Sequence, residues 1–175
     1  MLRQHWSLII CGAVVFVFSG ASGVAMELHV GPGQQYATIQ EALAHAEDGY
    51  IIKVHPDPEG YPGNITVSKA VYIWGWDGDD YADPELVFID GDHEYPCMQL
   101  FNKDIGLASL TLTHGLAAAG GAVYVSAATV TIDNCHITNS VATYAGGGIY
   151  IELVLPRFCG QLVKSQSGLP RSLRG

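Results

Sequence analysis

The chain has 175 residues, room for a single domain, and carries 17 acidic against eight basic residues for a formal net charge of −9. The charge is uneven: every acid lies between Glu27 and Glu152, where only Lys53, Lys69 and Lys103 oppose them, a net −14. Such a body repels phosphate backbones, so no nucleic acid is expected as a partner.

Residues 1–25 read as a secretory signal peptide. Arg3 gives a positive start, Ser7 to Phe18 is an apolar run, and Gly23 and Ala25 are the small residues a signal peptidase needs, with cleavage after Ala25. About a dozen apolar residues fall short of the ~20 that span a bilayer. The mature protein is therefore expected to be secreted or held at the cell surface, with no transmembrane segment.

The mature chain opens on Glu27-Leu28-His29-Val30 and the turn Gly31-Pro32-Gly33. Thr38 followed by Glu41 is a capping box, and Ile39, Ala42, Leu43 and Ala46 form one apolar stripe at helical spacing. This predicts a helix of about ten residues ended by Gly49. Beyond it the pattern becomes extended. Short runs such as Tyr50–Val54, Ile65–Val67, Val71–Trp74, Leu86–Ile89, Met98–Phe101, Leu107–Leu112, Val123–Val125, Thr129–Ile132 and Ile149–Ile151 are separated mostly by Gly, Asp, Asn or Pro clusters.

These runs repeat. Gly120-Gly121-Ala122-Val123-Tyr124-Val125 is answered by Gly146-Gly147-Gly148-Ile149-Tyr150-Ile151, which puts Tyr124 and Tyr150 26 residues apart. Leu112-Thr113-His114-Gly115 aligns with Ile137-Thr138-Asn139-Ser140 at an offset of 25. A period in the twenties, built of short strands and glycine turns, predicts a solenoid whose coils stack about 4.8 Å apart. The expected fold is all-β, a right-handed parallel β-helix of about four to five coils over residues 26–155, its first coil covered by the helix. Asn134 and Asn139 are expected at bends, with side-chain amides bonding from coil to coil. From Leu153 onward the pattern stops: Pro156, Pro170 and four unmatched basic residues make 156–175 a non-repeat tail, expected to be disordered or the mark of a truncated solenoid.

The segment Tyr36-Ala37-Thr38-Ile39-Gln40-Glu41-Ala42-Leu43, with Asp48-Gly49-Tyr50-Ile51-Ile52-Lys53-Val54 and Val87-Phe88-Ile89-Asp90-Gly91, resembles right-handed parallel β-helix proteins of the pectate-lyase-like superfamily. The G-G-x-[IV]-Y-[VI] runs are also similar to the repeats of bacterial polymorphic outer-membrane proteins. The resemblance spans about residues 28–152 and implies the fold more sharply than an activity. Lyases of the superfamily use an arginine base beside acid-bound Ca²⁺, and residues 26–155 contain no arginine. A polygalacturonase-type hydrolase implies paired carboxylates. Gly78-Asp79-Asp80 and Thr113-His114-Gly115 match fragments of that pattern, without its upstream Asn-x-Asp or downstream Arg-x-Lys. No catalytic residue is assigned. The expected role is a non-catalytic adhesive or carbohydrate-associated module. The alternatives are an enzyme on acidic polysaccharide whose catalytic coils lie elsewhere, and a structural spacer.

Two groups of residues remain as candidates. Asp77, Asp79, Asp80 and Asp83 form an acidic loop of the kind Ca²⁺ favours, although Ala82 stands where an EF-hand loop starting at Asp77 would need glycine. No other cofactor is expected. Trp76 and Tyr81, in a polar loop, are candidates for stacking on a sugar ring of a polysaccharide or cell-surface glycan. The histidines show no metal-ligand spacing along the chain and read as surface or turn residues. Beyond the signal peptide Cys97, Cys135 and Cys159 remain; their odd count and wide spacing argue against a disulfide scaffold, and buried thiols in the coil interior are expected.

Overall fold

The computed structural model describes residues 26–152; the expected signal peptide and the basic tail lie outside the described residues. Strand β1 (Glu27–Val30) leads into helix α1 (Ile39–His45), and four coils follow. The first contains β2 (Ile51–Val54), β3 (Tyr61–Pro62) and β4 (Ile65–Val67). The second contains β5 (Tyr72–Gly75), a 3-10 turn at Pro84–Leu86, β6 (Phe88–Asp90) and β7 (Met98–Phe101). The third has β8 (Asp104–Ala108), β9 (Thr111–Thr113), β10 (Leu116–Ala119) and β11 (Val123–Ser126). The fourth repeats it with β12 (Thr129–Asp133), β13 (His136–Thr138), β14 (Val141–Ala145) and β15 (Ile149–Glu152).

Strands of three to five residues are too short to persist as isolated hairpins. Here each finds its partner one coil away. They stack in three columns, β1-β2-β5-β8-β12, β3-β6-β9-β13 and β4-β7-β11-β15, with β14 on β10 as a further pair. All these strand pairings are parallel. The protein is a parallel β-solenoid of about five turns.

Alternation along each strand sends every second side chain inward, and the register places like on like. Leu28, Ile52, Ile73, Leu107 and Ile132 form one aliphatic ladder. Ile65, Met98, Val123 and Ile149 form a second, and Tyr61, Ile89, Leu112 and Ile137 a third. The three meet along the axis in one continuous core.

The corners are sharper than the sequence suggests. Ser109 and Asn134 turn the chain from the first column to the second with φ of 52° and 46°. Asn64 turns it from the second to the third with φ of 61°, whereas His114 and Asn139, with φ of 51° and 50°, turn it from the second column into β10 and β14. Asn and His adopt this left-handed conformation more readily than most residues. The corner at Ser109 divides the predicted run Leu107–Leu112 between β8 and β9. Of the two asparagines expected to bond from coil to coil, Asn134 does, its Nδ2 donating to Ser109 Oγ at 3.1 Å, whereas the Asn139 side chain makes no hydrogen bond among the described residues. Gly120 and Gly146 turn with φ of 66° and 63° where the repeat places them.

Helix α1 lies across the first coil, burying Ile39, Ala42 and Leu43. The capping box forms: Glu41 N donates to Thr38 Oγ1 at 3.2 Å, and Thr38 N to Glu41 Oε2 at 3.2 Å. The C-terminus differs from the prediction. The helix stops at His45, with Ala46 rather than Gly49 as its cap. The reason is a residue one coil later. Lys69 Nζ donates to the carbonyls of Leu43 at 2.6 Å, Ala44 at 3.1 Å and Ala46 at 2.6 Å, satisfying groups that would otherwise need another turn. Gly49 instead serves the next bend, its N–H donating to Ala70 O at 2.6 Å.

Candidate functional site

The outward side of the first column is where aromatic residues collect. In β5, Ile73 points in, so Tyr72 and Trp74 point out; Trp76 follows at the strand's end. The register sets Lys53 of β2 directly beside Trp74 and sets Gly106 and Ala108 of β8 beside Tyr72 and Trp74. The small residues of β8 make room for the rings: a Cβ on Gly106 would overlap the Tyr72 ring.

Trp76 and Tyr81 are brought together by an antiparallel bridge that closes the loop between them. Trp74 and Trp76 lie nearly parallel, centroids 6.0 Å apart at 18°, and Tyr81 meets Trp74 edge-on at 4.7 Å. Tyr81 remains 47% exposed. Lys53 holds the cluster from below. Its Nζ sits 3.8 Å from the Trp76 centroid and 5.7 Å from that of Trp74, and pairs with Glu27 Oε2 at 2.9 Å. Only 7% of Lys53 is exposed, and Trp76 is half-buried. A cation over an indole face and a carboxylate at hydrogen-bond distance together offset the cost of burying the ammonium. Burial, then the proximity of Tyr81, pushes the Tyr72 phenol well above its ordinary range. Trp74 Nε1 is buried without a hydrogen-bond partner among the described residues.

The acidic residues end differently. Asp77 Oδ1 accepts from the N–H groups of Asp79 at 3.1 Å and Asp80 at 3.0 Å; Asp80 Oδ1 accepts from Tyr81 N at 2.8 Å; Asp83 Oδ1 accepts from Glu85 N at 3.1 Å. The bonds from Asp80 and Asp79 hold the Asp77 carboxyl below its usual range. These carboxylates thus engage the backbone of their own turns. Among the described residues no three His, Cys, Asp or Glu side chains converge as ligands to one metal ion.

Stacking also pairs histidines that are distant in sequence. His29 Nδ1 and His55 Nε2 are 2.9 Å apart beside Lys53 and Glu27. His114 packs against His93 and bonds to Asp90. On the third column, Pro96, Gln99, Ala117, Ala118, Ala119 and Tyr124 line a shallow groove of about 390 Å³, with Tyr124 stacked on Tyr150 at 5.8 Å. Cys97 is buried and Cys135 half-buried, and both are free thiols.

Sequence reasoning put Trp76 and Tyr81 in one loop, where an antiparallel bridge joins them, but did not anticipate that Lys53 and Glu27 stand beside them or that the histidines pair. The signal was present as separations of about one coil: 21 residues from Lys53 to Trp74, 26 from His29 to His55 and 21 from His93 to His114. In a solenoid such separations mean adjacency. Comparison with protein-family models, with curated proteins and with solved structures finds no match to this chain.

Proposed function

We propose that the protein is an exported, non-catalytic β-solenoid that contacts carbohydrate through the aromatic platform of its first column, as an adhesive or surface-associated module. One observation carries the reading. Trp74, Trp76 and Tyr81 gather on one outer face, clamped by Lys53, instead of being dispersed over the coils. Aromatic side chains offer a large, rigid, partly wet surface whose ordering costs little entropy, and the C–H face of a sugar ring suits it. Glu27 already neutralises Lys53, and the surrounding body is strongly acidic, so the platform favours neutral over uronic-acid glycans. The resemblance to the pectate-lyase-like superfamily and the signal-like segment before residue 26 agree with an extracellular setting.

A glycan array probed with the intact protein tests the proposal. Binding to neutral glycans is expected, reduced at least tenfold in Trp76→Ala and Tyr81→Ala. Binding that survives both substitutions would move the contact elsewhere, and an array with no signal would leave the spacer reading.

A further inference from the structure

The corner between the second and third columns contains a histidine pair that the glycan platform does not use. His93 and His114 both sit in the left-handed conformation, with φ of 54° and 51°. Their backbones are joined directly, His93 N donating to His114 O at 2.8 Å, and Gly91 N donates to Thr113 O at 3.0 Å beside them. Two adjacent coils are therefore tied together at this point. The imidazole rings face each other with centroids 4.6 Å apart at 46°.

Asp90 determines how one of these rings is presented. Its Oδ2 and Oδ1 lie 3.0 and 3.2 Å from His114 Nδ1. An ionised carboxylate only accepts, so Nδ1 carries the proton and the lone pair of the neutral ring is on Nε2. A carboxylate behind the far nitrogen of an imidazole is the arrangement that orients histidine ligands in metalloproteins and strengthens their basicity. His93 is exposed, packs on His114 and makes no side-chain hydrogen bond among the described residues, so its ring nitrogens are not committed elsewhere. The other pair, His29 and His55, is unsuited, because its facing ring nitrogens are already bonded to each other.

We infer that His93 and His114, with Asp90 behind His114, form a two-nitrogen site for a divalent transition metal of the imidazole-preferring kind, such as Zn²⁺ or Ni²⁺, that clips the second coil to the third. Water completes the coordination, since no third protein ligand converges there. Borderline ions favour imidazole, whereas Ca²⁺ favours oxygen.

Calorimetric titration of the untagged full chain with Zn²⁺, and separately with Ca²⁺, tests this. The variants are His93→Asn and His114→Asn, because Asn tolerates the left-handed backbone and preserves the fold. One Zn²⁺ per chain is expected, with affinity at least tenfold weaker in each variant, and about tenfold weaker in Asp90→Ala through loss of the orienting carboxylate. Zn²⁺ should also raise the Tm of the natural chain and leave that of His114→Asn unmoved. The inference is overturned by unchanged affinity in both Asn variants, by a loss confined to His29→Asn or His55→Asn, by equal binding of Ca²⁺, or by no saturable Zn²⁺ binding up to millimolar concentration. None of these results bears on the Trp76 platform.

Discussion

The two ends of the described solenoid carry the same kind of inward ladder and treat it oppositely. At the N-terminal end, Leu28 and Val30 of β1 are buried beneath α1, which is locked by Lys69 at its C-terminus and by Gln40 Oε1, which accepts from Thr66 N at 3.0 Å. At the last described coil, Ile149 and Ile151 are 39% and 59% exposed, although they stand in register on Val123 and Val125, at 0% and 2%. Among the described residues, an inward side chain is fully buried where a further layer stands over it, as α1 does over β1. A ladder therefore creates a core without closing it, and a cap is a separate structural requirement.

The comparison can be broken with one residue type. Ile73→Ala, in the buried middle of the first ladder, should cost about 3–4 kcal/mol, whereas Ile151→Ala should cost less than about 1 kcal/mol. Equal losses in denaturant unfolding would show that burial does not differ between the coils. Lys69→Met sharpens the view of the capped end. It keeps most of the apolar stem and removes three bonds to helix carbonyls, so a loss of about 1–2 kcal/mol is expected, with faster hydrogen exchange confined to α1 and β1.

Titration adds effects confined to the ends of the pH range. Burial, and then His29 and Lys53, lower the His55 pKa. The folded state thus resists protonation more than the unfolded one. Its contribution is full above about pH 6.5 and is lost as pH falls through the lower folded value. Burial, and then Asp57, raise the Tyr61 phenol to about 12, with its hydroxyl donating to His55 O at 2.5 Å. That contribution is complete below about pH 10 and disappears as pH rises through 12. Unfolding followed from pH 5 to 12 should show both declines. His55→Gln should remove only the acid one and Tyr61→Phe only the alkaline one.

Much of this architecture was legible because its rules are local. Alternation in Val71–Trp74 sends Tyr72 and Trp74 outward, the capping box at Thr38 starts α1, and the Gly120 and Gly146 repeats mark equivalent bends. Strands β3, β10, β13 and β14 were not anticipated, since runs such as Tyr61–Pro62 and Leu116–Ala119 have no alternation of their own and are strands only because a neighbouring coil supplies partners. The end of α1 was hidden for the same reason, being decided by Lys69 from the next coil. The site divided likewise. Trp76 and Tyr81 share a loop and could be read together, whereas Lys53 joins them only through the β2–β5 register. That register depends on a first coil of 21 residues, while the repeats that reveal the period run at 25 and 26.

The register itself can be measured directly. Tyr124 and Tyr150 are exact partners in β11 and β15 and project outward together, while Tyr124 and Ile149 point to opposite sides. Neighbouring parallel strands place paired Cα atoms within the 4.4–6.8 Å that a disulfide spans. With Tyr124→Cys and Tyr150→Cys combined, mild oxidation should give a nearly complete intramolecular bond, identified by peptide mapping. With Tyr124→Cys and Ile149→Cys combined, little should form. Equal yields from the two pairs, or a bond only in the second, would contradict in-register coils.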